Sequence, residues 1–402
     1  MRLGTANAYD NTMANLTSRQ AGLADIQEKL SAGKKVLRPS DDPTGAAQAE
    51  RALTRTSRVE TEQRALNVQR DSIANAESTL GDASSLLQRF RELVITAGNA
   101  AYNSTDRSSM AQEMTSLRDQ LFAYANKLDS NGIPLFGGVG SPTPPFTDAS
   151  TGVTFNGIPG QRASTAVSIP AAMDGQAIWM NVPTGNGVFT VGLGGANTGT
   201  VWTDPGQVVN PSQAQAAFAP PNLPPYSIQF SVAAGVTTYT VVDSGSNTIV
   251  PSQPYLDGQT LQFNGMSFTA HGTPANGDTL QVAASTRSDL FKVLDTAIAG
   301  IKGAGNGNLL TQSFTLSLAQ IDTGMTRLNS ARSQAGALLN RADVIDGNQQ
   351  AKTIQLEADR SHAEDMDMVK GISELQKQQT GYDAALKTYA QVQRLSLFNY
   401  LS

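Results

Sequence analysis

Cysteine is absent from this chain of 402 residues, which excludes disulfide staples and thiolate chemistry. Its absence fits a reducing cytosol, and it also fits a secreted chain that crosses an exporter unfolded. Histidine is nearly absent. The two that occur, His271 and His362, fall in different predicted regions, and no His-Glu-x-x-His motif is present. No apolar run reaches the roughly 18 residues a membrane-spanning helix needs, so no membrane insertion is expected. The N-terminal stretch Met1 to Thr5 lacks the apolar core of a secretory signal peptide, so either residence in the cytoplasm or export without a cleaved signal is expected. Gly192-Leu193-Gly194-Gly195 is followed by no helical pattern, which argues against a phosphate cradle. Asp365 and Asp367, without the glycine pattern of a calcium loop, are weak as a cation site. No catalytic constellation emerges. The expectation is a chain without catalytic residues, metal or cofactor.

Proline and charge are absent by region. Fifteen of the 18 prolines lie between Pro142 and Pro274, and none falls between Thr44 and Ile133 or after Ala275. Proline inside a helix costs about 3 kcal/mol, so the proline-poor flanks are free to form long helices. Residues 136–284 hold one basic residue, Arg162, and six aspartates, with no Lys or Glu. They account for the whole formal net charge of −5, so the flanks balance. No basic surplus points to nucleic acid or to an anionic membrane surface. The length allows two or more domains.

The flanks carry helical repeats. Tyr9, Met13, Leu16, Gln20, Leu23, Gln27 and Leu30 alternate in steps of four and three, a heptad seam suited to a coiled coil. Gly33 breaks it, and Asp42-Pro43 is a cap and first residue for the next helix. That helix should run from Thr44 to about Gly98, roughly 80 Å at ~1.5 Å per residue, which implies a rod. Its later stripe is Ile73, Ala76, Leu80, Ala83, Leu87, Phe90 and Val94, and Glu60 and Arg64 have ion-pair spacing. A further helix, capped by Ser104, carries Met110, Met114, Leu117, Leu121, Tyr124 and Leu128 and stops at Ser130-Asn131-Gly132.

The middle switches to period two. Alternation appears at Ile228, Phe230 and Val232 and again at Thr237, Tyr239 and Val241, with Ala234-Gly235 between, and Leu261-Phe263, Asn264-Gly265 and Met266-Phe268 read as a hairpin. Residues 137–284 are expected to form one β-rich sandwich or barrel with Trp179 and Trp202 in its sheet core. Helices resume after Ser285. Leu290 to Ile301 make a short one, and a long return follows from Phe314 to Ala342 and beyond, with a soft interruption at Gly347. The last segment is again a heptad seam: Ile372, Leu375, Gln379, Tyr382, Leu386, Tyr389, continued by Val392, Leu395 and Phe398.

The two terminal seams match in repeat and length, so they are expected to pair. A narrow seam returns little against the backbone entropy of ordering two long helices. Both ends are therefore expected to be largely disordered in the free chain and to fold among other subunits. The expected class is α+β and multidomain: an elongated antiparallel helical bundle or coiled coil formed by the N- and C-terminal regions, with an inserted β-rich domain. The boundaries are 1–40 with 366–402 for an inner coiled-coil domain, 41–136 with 286–365 for a rod-like bundle, and 137–285 for the insert. The basic cluster Lys34, Lys35, Arg38 and the acidic cluster Glu364, Asp365, Asp367 should meet as complementary linkers that set the angle between domains.

Leu30-Ser31-Ala32-Gly33-Lys34-Lys35-Val36 followed by Pro39-Ser40-Asp41-Asp42-Pro43 resembles the N-terminal signature of the flagellin superfamily. Arg91-Glu92-Leu93 and Asn131-Gly132-Ile133 fit its first helical pair. The ending Leu395-Ser396-Leu397-Phe398-Asn399-Tyr400-Leu401, with Phe263-Asn264-Gly265 and Gly272-Thr273-Pro274-Ala275-Asn276-Gly277-Asp278, is closer to the superfamily's hook-associated members than to filament flagellin. The resemblance covers roughly residues 1–136 and 286–402. It implies an extracellular structural protein at the hook–filament junction of a bacterial flagellum. Implied partners are identical copies in a ring, a neighbouring hook-associated protein, flagellin, an export chaperone and the type III export apparatus. The implied subunit contacts are Tyr9, Met13, Leu16, Leu23, Leu30, Ile372, Leu375, Tyr382, Leu386, Tyr389, Val392, Leu395 and Phe398. Filament flagellin, or a flagellin-like scaffold displaying an adhesive β domain, is the alternative.

Overall fold

A computed structural model describes residues 3–99, 101–149, 152–303 and 307–401; the side chains of 3–6, 8 and 392–401 lie outside that description. Seven α-helices are described: α1 (Leu3–Ala32), α2 (Pro43–Ala97), α3 (Ser104–Ala125), α4 (Pro211–Ala217), α5 (Leu290–Gly303), α6 (Asn308–Glu364) and α7 (Met368–Leu401). The chain forms two compact units, Met1–Ala65 with Val344–Ser402, and Leu66–Asp343; α2 and α6 contribute to both.

In the second unit the predicted stripe of α2 is the helical core. Ile73, Ala76, Leu80, Ala83, Leu87, Phe90 and Val94 are fully buried, as are Met114 and Leu121 of α3, Leu290 and Leu294 of α5, and Ile321 and Leu328 of α6. Ion pairs fix neighbouring helices: Arg91 with Asp322 at 2.6 Å, Arg332 with Glu77 at 2.6 Å and Arg89 with Glu113 at 2.8 Å. Asn103, not Ser104, caps α3, in a reciprocal pair with Asp106. An Asn amide oxygen reaches the third N–H of the helix as a serine would, and Asp106 closes the box. α3 ends at Ala125, before Ser130, because Asp129 draws the backbone N–H groups of Asn131 and Ile133 into a turn.

The same unit holds the strands. β1 (Phe146–Ala149) and β2 (Gly152–Phe155) form a hairpin, and β3 (Val182–Pro183) pairs with the late strand Arg287–Ser288. Two sheets enclose one core. The first has five antiparallel strands: β4 (Phe189–Leu193) lies beside Thr279–Ala284, which leads to Tyr226–Ala233, Val236–Val242 and Thr248–Pro254. The second pairs Gln259–Phe263 with Met266–His271, and the short strands Trp202–Thr203 and Gln207–Val208 complete it. Phe189, Tyr226, Ile228, Val282, Leu261, Met266 and Phe268 from both sheets share the core. The anticipated hairpin forms, with positive φ at Asn264 and Gly265 (46° and 73°), and the alternating stretches around Ala234 and Gly235 (50° and 79°) form a second. Such turns match the right-handed twist of the strands.

The tryptophans do not anchor the sheets. Trp179, in a π-helical turn over Gln176–Met180, is fully buried between Phe136 and Phe291. Trp202 is half-buried and stacks on His271 at 4.4 Å. The first unit corrects two further expectations. α6 passes through Gly347 without a break, since one glycine costs only about 1 kcal/mol in a long helix. Arg64 donates to Thr61 rather than pairing with Glu60, while Arg58 and Glu62 form an ion pair at 3.2 Å.

Candidate functional site

The candidate site is a surface of the first unit: the pair α1–α7 and the two linkers beside it. The helices run antiparallel. Leu30 lies by Gly371, Gly22 by Gln378, Arg19 by Gly381 and Tyr9 by Tyr389, so one number falls as its partner rises. A Cβ built on Gly371 would lie 3.4 Å from Leu30 Cγ, an ordinary contact, and one on Gly381 would lie 2.6 Å from Arg19 Nη1, which that flexible side chain could relieve by moving. At the far end Tyr389 Oη donates to Tyr9 Oη at 2.9 Å, with ring centroids 5.7 Å apart. That hydrogen bond raises the Tyr389 phenol above its ordinary pKa.

The pair leaves its apolar stripe largely uncovered. Among the described side chains of α1 only Leu16 is deeply buried, at 8 % exposure; Tyr9 and Met13 are 43 % exposed. Leu23 and Leu30 are half-buried, as are Leu375, Tyr382 and Tyr389, while Ile372 and Leu386 are 48 % and 41 % exposed. Gln20, Gln27 and Gln379 lie exposed. Val392, Leu395 and Phe398 have side chains outside the described residues. Two helices can cover only one flank of each other, so the remaining apolar flank has no partner among the described residues of this unit.

The linkers are brought together. Gly33 (φ 68°) ends α1, and its carbonyl accepts from Met366 N at 2.9 Å. Lys34 and Asp365 form an antiparallel bridge, and Lys35 N donates to Glu364 O at 2.7 Å. Lys34 Nζ lies 3.0 Å from Glu364 Oε1, which Arg360 also contacts at 3.1 Å; Glu364 is only 8 % exposed. The remaining members act elsewhere. Lys35 Nζ donates to the His362 carbonyl at 2.7 Å, Arg38 pairs with Glu28 at 3.0 Å, and Asp367 caps α7 through Val369 N at 3.0 Å. Backbone N–H groups of Leu37 and Arg38 hold the Asp41 carboxyl below its usual pKa, and the N–H of Gly45 with the Thr44 hydroxyl does the same for Asp42 at the start of α2.

The six aspartates of the insert are all engaged. Asp174 accepts from Gly160 N and Ala177 N, Asp204 from Gly206 N and Thr269 N, and Asp243 from Gly245 N and Asn247 N. Asp257 accepts from Gly272 N, and Asp278 from Thr198, Gly199 and Ala275. Asp148 meets Arg118, a buried guanidinium that also contacts Asp295 at 3.1 Å and lies 5.6 Å from the Phe291 ring centre. Burial disfavours this cation, but the hydrogen bonds it donates to Asp148 and Asp295 outweigh it and raise the Arg118 pKa. Sequence reasoning missed this node. Its only trace was an arginine four residues beyond Met114, on the flank of the α3 stripe. The spare negative charge therefore shapes turns rather than forming an open binding face.

Among the described residues no group of three or more His, Cys, Asp or Glu could hold a metal ion, and no helix is long and apolar enough to cross a membrane. Residues 4–141 match the bacterial flagellin N-terminal helical region, and residues 318–401 match the bacterial flagellin C-terminal helical region; together they cover more than half of the chain. Flagellar hook-associated protein 3 of Salmonella typhimurium is 33 % identical over 154 residues, 38 % of this chain and 48 % of that protein. The chain spans about half the length of the curated relatives it matches. Among solved structures, the flagellar junction protein FlgL from Legionella pneumophila has a TM-score of 0.67 at 28 % identity, covering 74 % of this chain and 99 % of that one. Flagellar hook associated protein-3 from the same organism has a TM-score of 0.70 at 27 % identity, covering 81 % and 99 %.

Proposed function

The chain belongs to the flagellin family, and from that premise we propose that it is a structural subunit joining hook and filament in the bacterial flagellum. The observation that carries the proposal is the terminal pair with its uncovered apolar flank. A self-sufficient globule would bury Tyr9, Met13, Ile372 and Leu386; a subunit keeps them for its neighbours. Residues 1–40 with 366–402 form the inner domain of the assembled ring, 41–136 with 286–365 the next layer, and 137–285 the outward-facing insert. Identical copies close the ring, between a neighbouring hook-associated protein and the first flagellins. A chain without cysteine suits passage unfolded through the type III export apparatus, with an export chaperone covering the C-terminal seam beforehand. The protein works outside the cell, and its role is mechanical rather than catalytic.

A strain lacking this chain tests the assignment. Intact hooks, shed flagellin and lost motility are expected. Absent hooks would reject a junction role, and hooks bearing full filaments would point instead to a minor filament flagellin. Amide exchange on the free chain tests the terminal pair: Leu16 and Leu386 should exchange rapidly in the monomer and slowly in the assembled junction. Strong protection in the monomer would reject folding on assembly.

A further inference from the structure

Away from the terminal pair, the second unit carries a cleft of about 520 Å³ between the loops 133–141 and 161–172, with Gln69 of α2 on its wall. Three features describe what would fill it. Its neighbourhood is aliphatic: Ile133, Val139, Ile158 and Val167 are exposed to between 36 % and 62 %, and no aromatic residue lines the cleft. A sugar would want an aromatic face, whereas aliphatic side chains suit a protein. Next, among the described residues the backbone groups of 161–164 take no hydrogen-bond partner, although Arg162, Ala163 and Ser164 are exposed. Finally, two arginines at the rim have no carboxylate. Arg162 donates only to Val139 O at 3.4 Å, and Arg341 only to Thr165 O at 3.2 Å. The nearby Asp174 has both oxygens committed to backbone N–H groups. The fitting occupant is a protein surface with one aliphatic side chain beside one free carboxylate.

The same stretch of α2 presents such a surface on its other side. Val68 is 48 % exposed, and Asp71 is exposed with no ion-pair or hydrogen-bond partner among the described residues. At about 100° per residue, Val68 and Asp71 point roughly 100° and 200° around the helix from Gln69. They share a face with each other but not with the cleft. We propose that the cleft receives Val68 and Asp71 of a second copy of this chain, with Asp71 meeting Arg162. Cleft and knob sit on different sides of one helix at one level, so the contact is head-to-tail, and repeating it generates a closed ring when the rotation closes. The inference rests on the reading of this chain as a ring-forming subunit and specifies a lateral contact within that ring.

The absence of cysteine makes the test clean. Full-length Val68→Cys and Ala163→Cys chains are co-expressed in a strain lacking the native chain, and isolated hook–filament particles are oxidised. A covalent dimer is expected from the mixture and none from either variant alone. Adding Arg162→Glu to the Ala163→Cys chain should reduce the dimer at least tenfold, and Asp71→Arg on the Val68→Cys chain should restore it. If both variants enter the particles but no dimer forms, the cleft contact is overturned and the ring assignment stands. If the native chain is missing from hook–filament particles of the unmodified strain, the ring assignment falls and the contact with it.

Discussion

The stripe of α2 from Ile73 to Val94 and the seam of α1 from Tyr9 to Leu30 use the same periodic pattern and meet opposite fates. The first is sealed by α3, α5 and α6 until its apolar members are fully buried. The second has one helix against it and buries only Leu16 deeply. Periodicity specifies a helix with an apolar face, while the number of neighbouring helices decides whether that face becomes core or interface. Stability should therefore reside in the sealed stripe and assembly in the open seam.

The largest test is Phe90→Ala. It should cost about 3–5 kcal/mol in chemical denaturation of the monomer, because a fully buried ring leaves a cavity. Leu386→Ala should change monomer stability by under about 1 kcal/mol while abolishing incorporation into the junction, and equal losses in the two variants would erase the contrast. Arg118→Met comes next. It leaves Asp148 and Asp295 without their cation and should cost about 2–3 kcal/mol, discounted because both carboxylates are partly exposed. At the linkers, Lys34→Glu with Lys35→Glu should weaken junction assembly with little change in monomer melting, since Lys34 is partly exposed. Glu364→Lys with Asp365→Lys should restore motility; unaltered motility in the first variant would remove the linkers from the angle between domains.

The smallest effects are in pH. Asp41, Asp42, Asp129 and Asp243 have folded-state pKa values below the usual carboxylate value. A depressed acid stabilises the fold above its unfolded pKa, so this contribution is complete above about pH 4 and lost as pH falls through the lowered values. The Tyr255 phenol is raised instead, to about 12, by burial. Its contribution is complete below about pH 10 and lost as pH rises through the raised value. Melting curves from pH 3 to 11 should show acid loss in both Leu80→Ala and Tyr255→Phe, with a smaller alkaline loss in Tyr255→Phe and some remaining, because burial raises Tyr226 and Tyr239 as well.

The helices were legible because proline-free periodic stretches allow few alternatives, and Asp42-Pro43 and Gly33 marked their edges through local backbone chemistry, as Asn264-Gly265 marked a turn between strands. The hairpin at Asn264-Gly265 followed from period-two patterns on both sides of that turn. Features made by residues far apart in the chain were not legible. Trp179 was assigned to the sheets because tryptophan seeks a core, and nothing local says which core. Nor was it legible which aspartates of the insert hold turn N–H groups, because the groups they meet, such as Gly160 for Asp174 or Thr269 for Asp204, lie far along the chain. The Lys34–Glu364 meeting was visible as complementary charge, yet Arg38 and Asp367 have nearer partners in Glu28 and the first turn of α7.

Composition and periodicity, which act over a few residues, settled that this protein has helical ends, a β insert, balanced flanks and no cysteine chemistry. Which apolar stripe is sealed, which carboxylates are spent and where a cleft opens were settled by packing alone. Burial depends on what the rest of the chain brings alongside, and no short stretch of sequence carries that information.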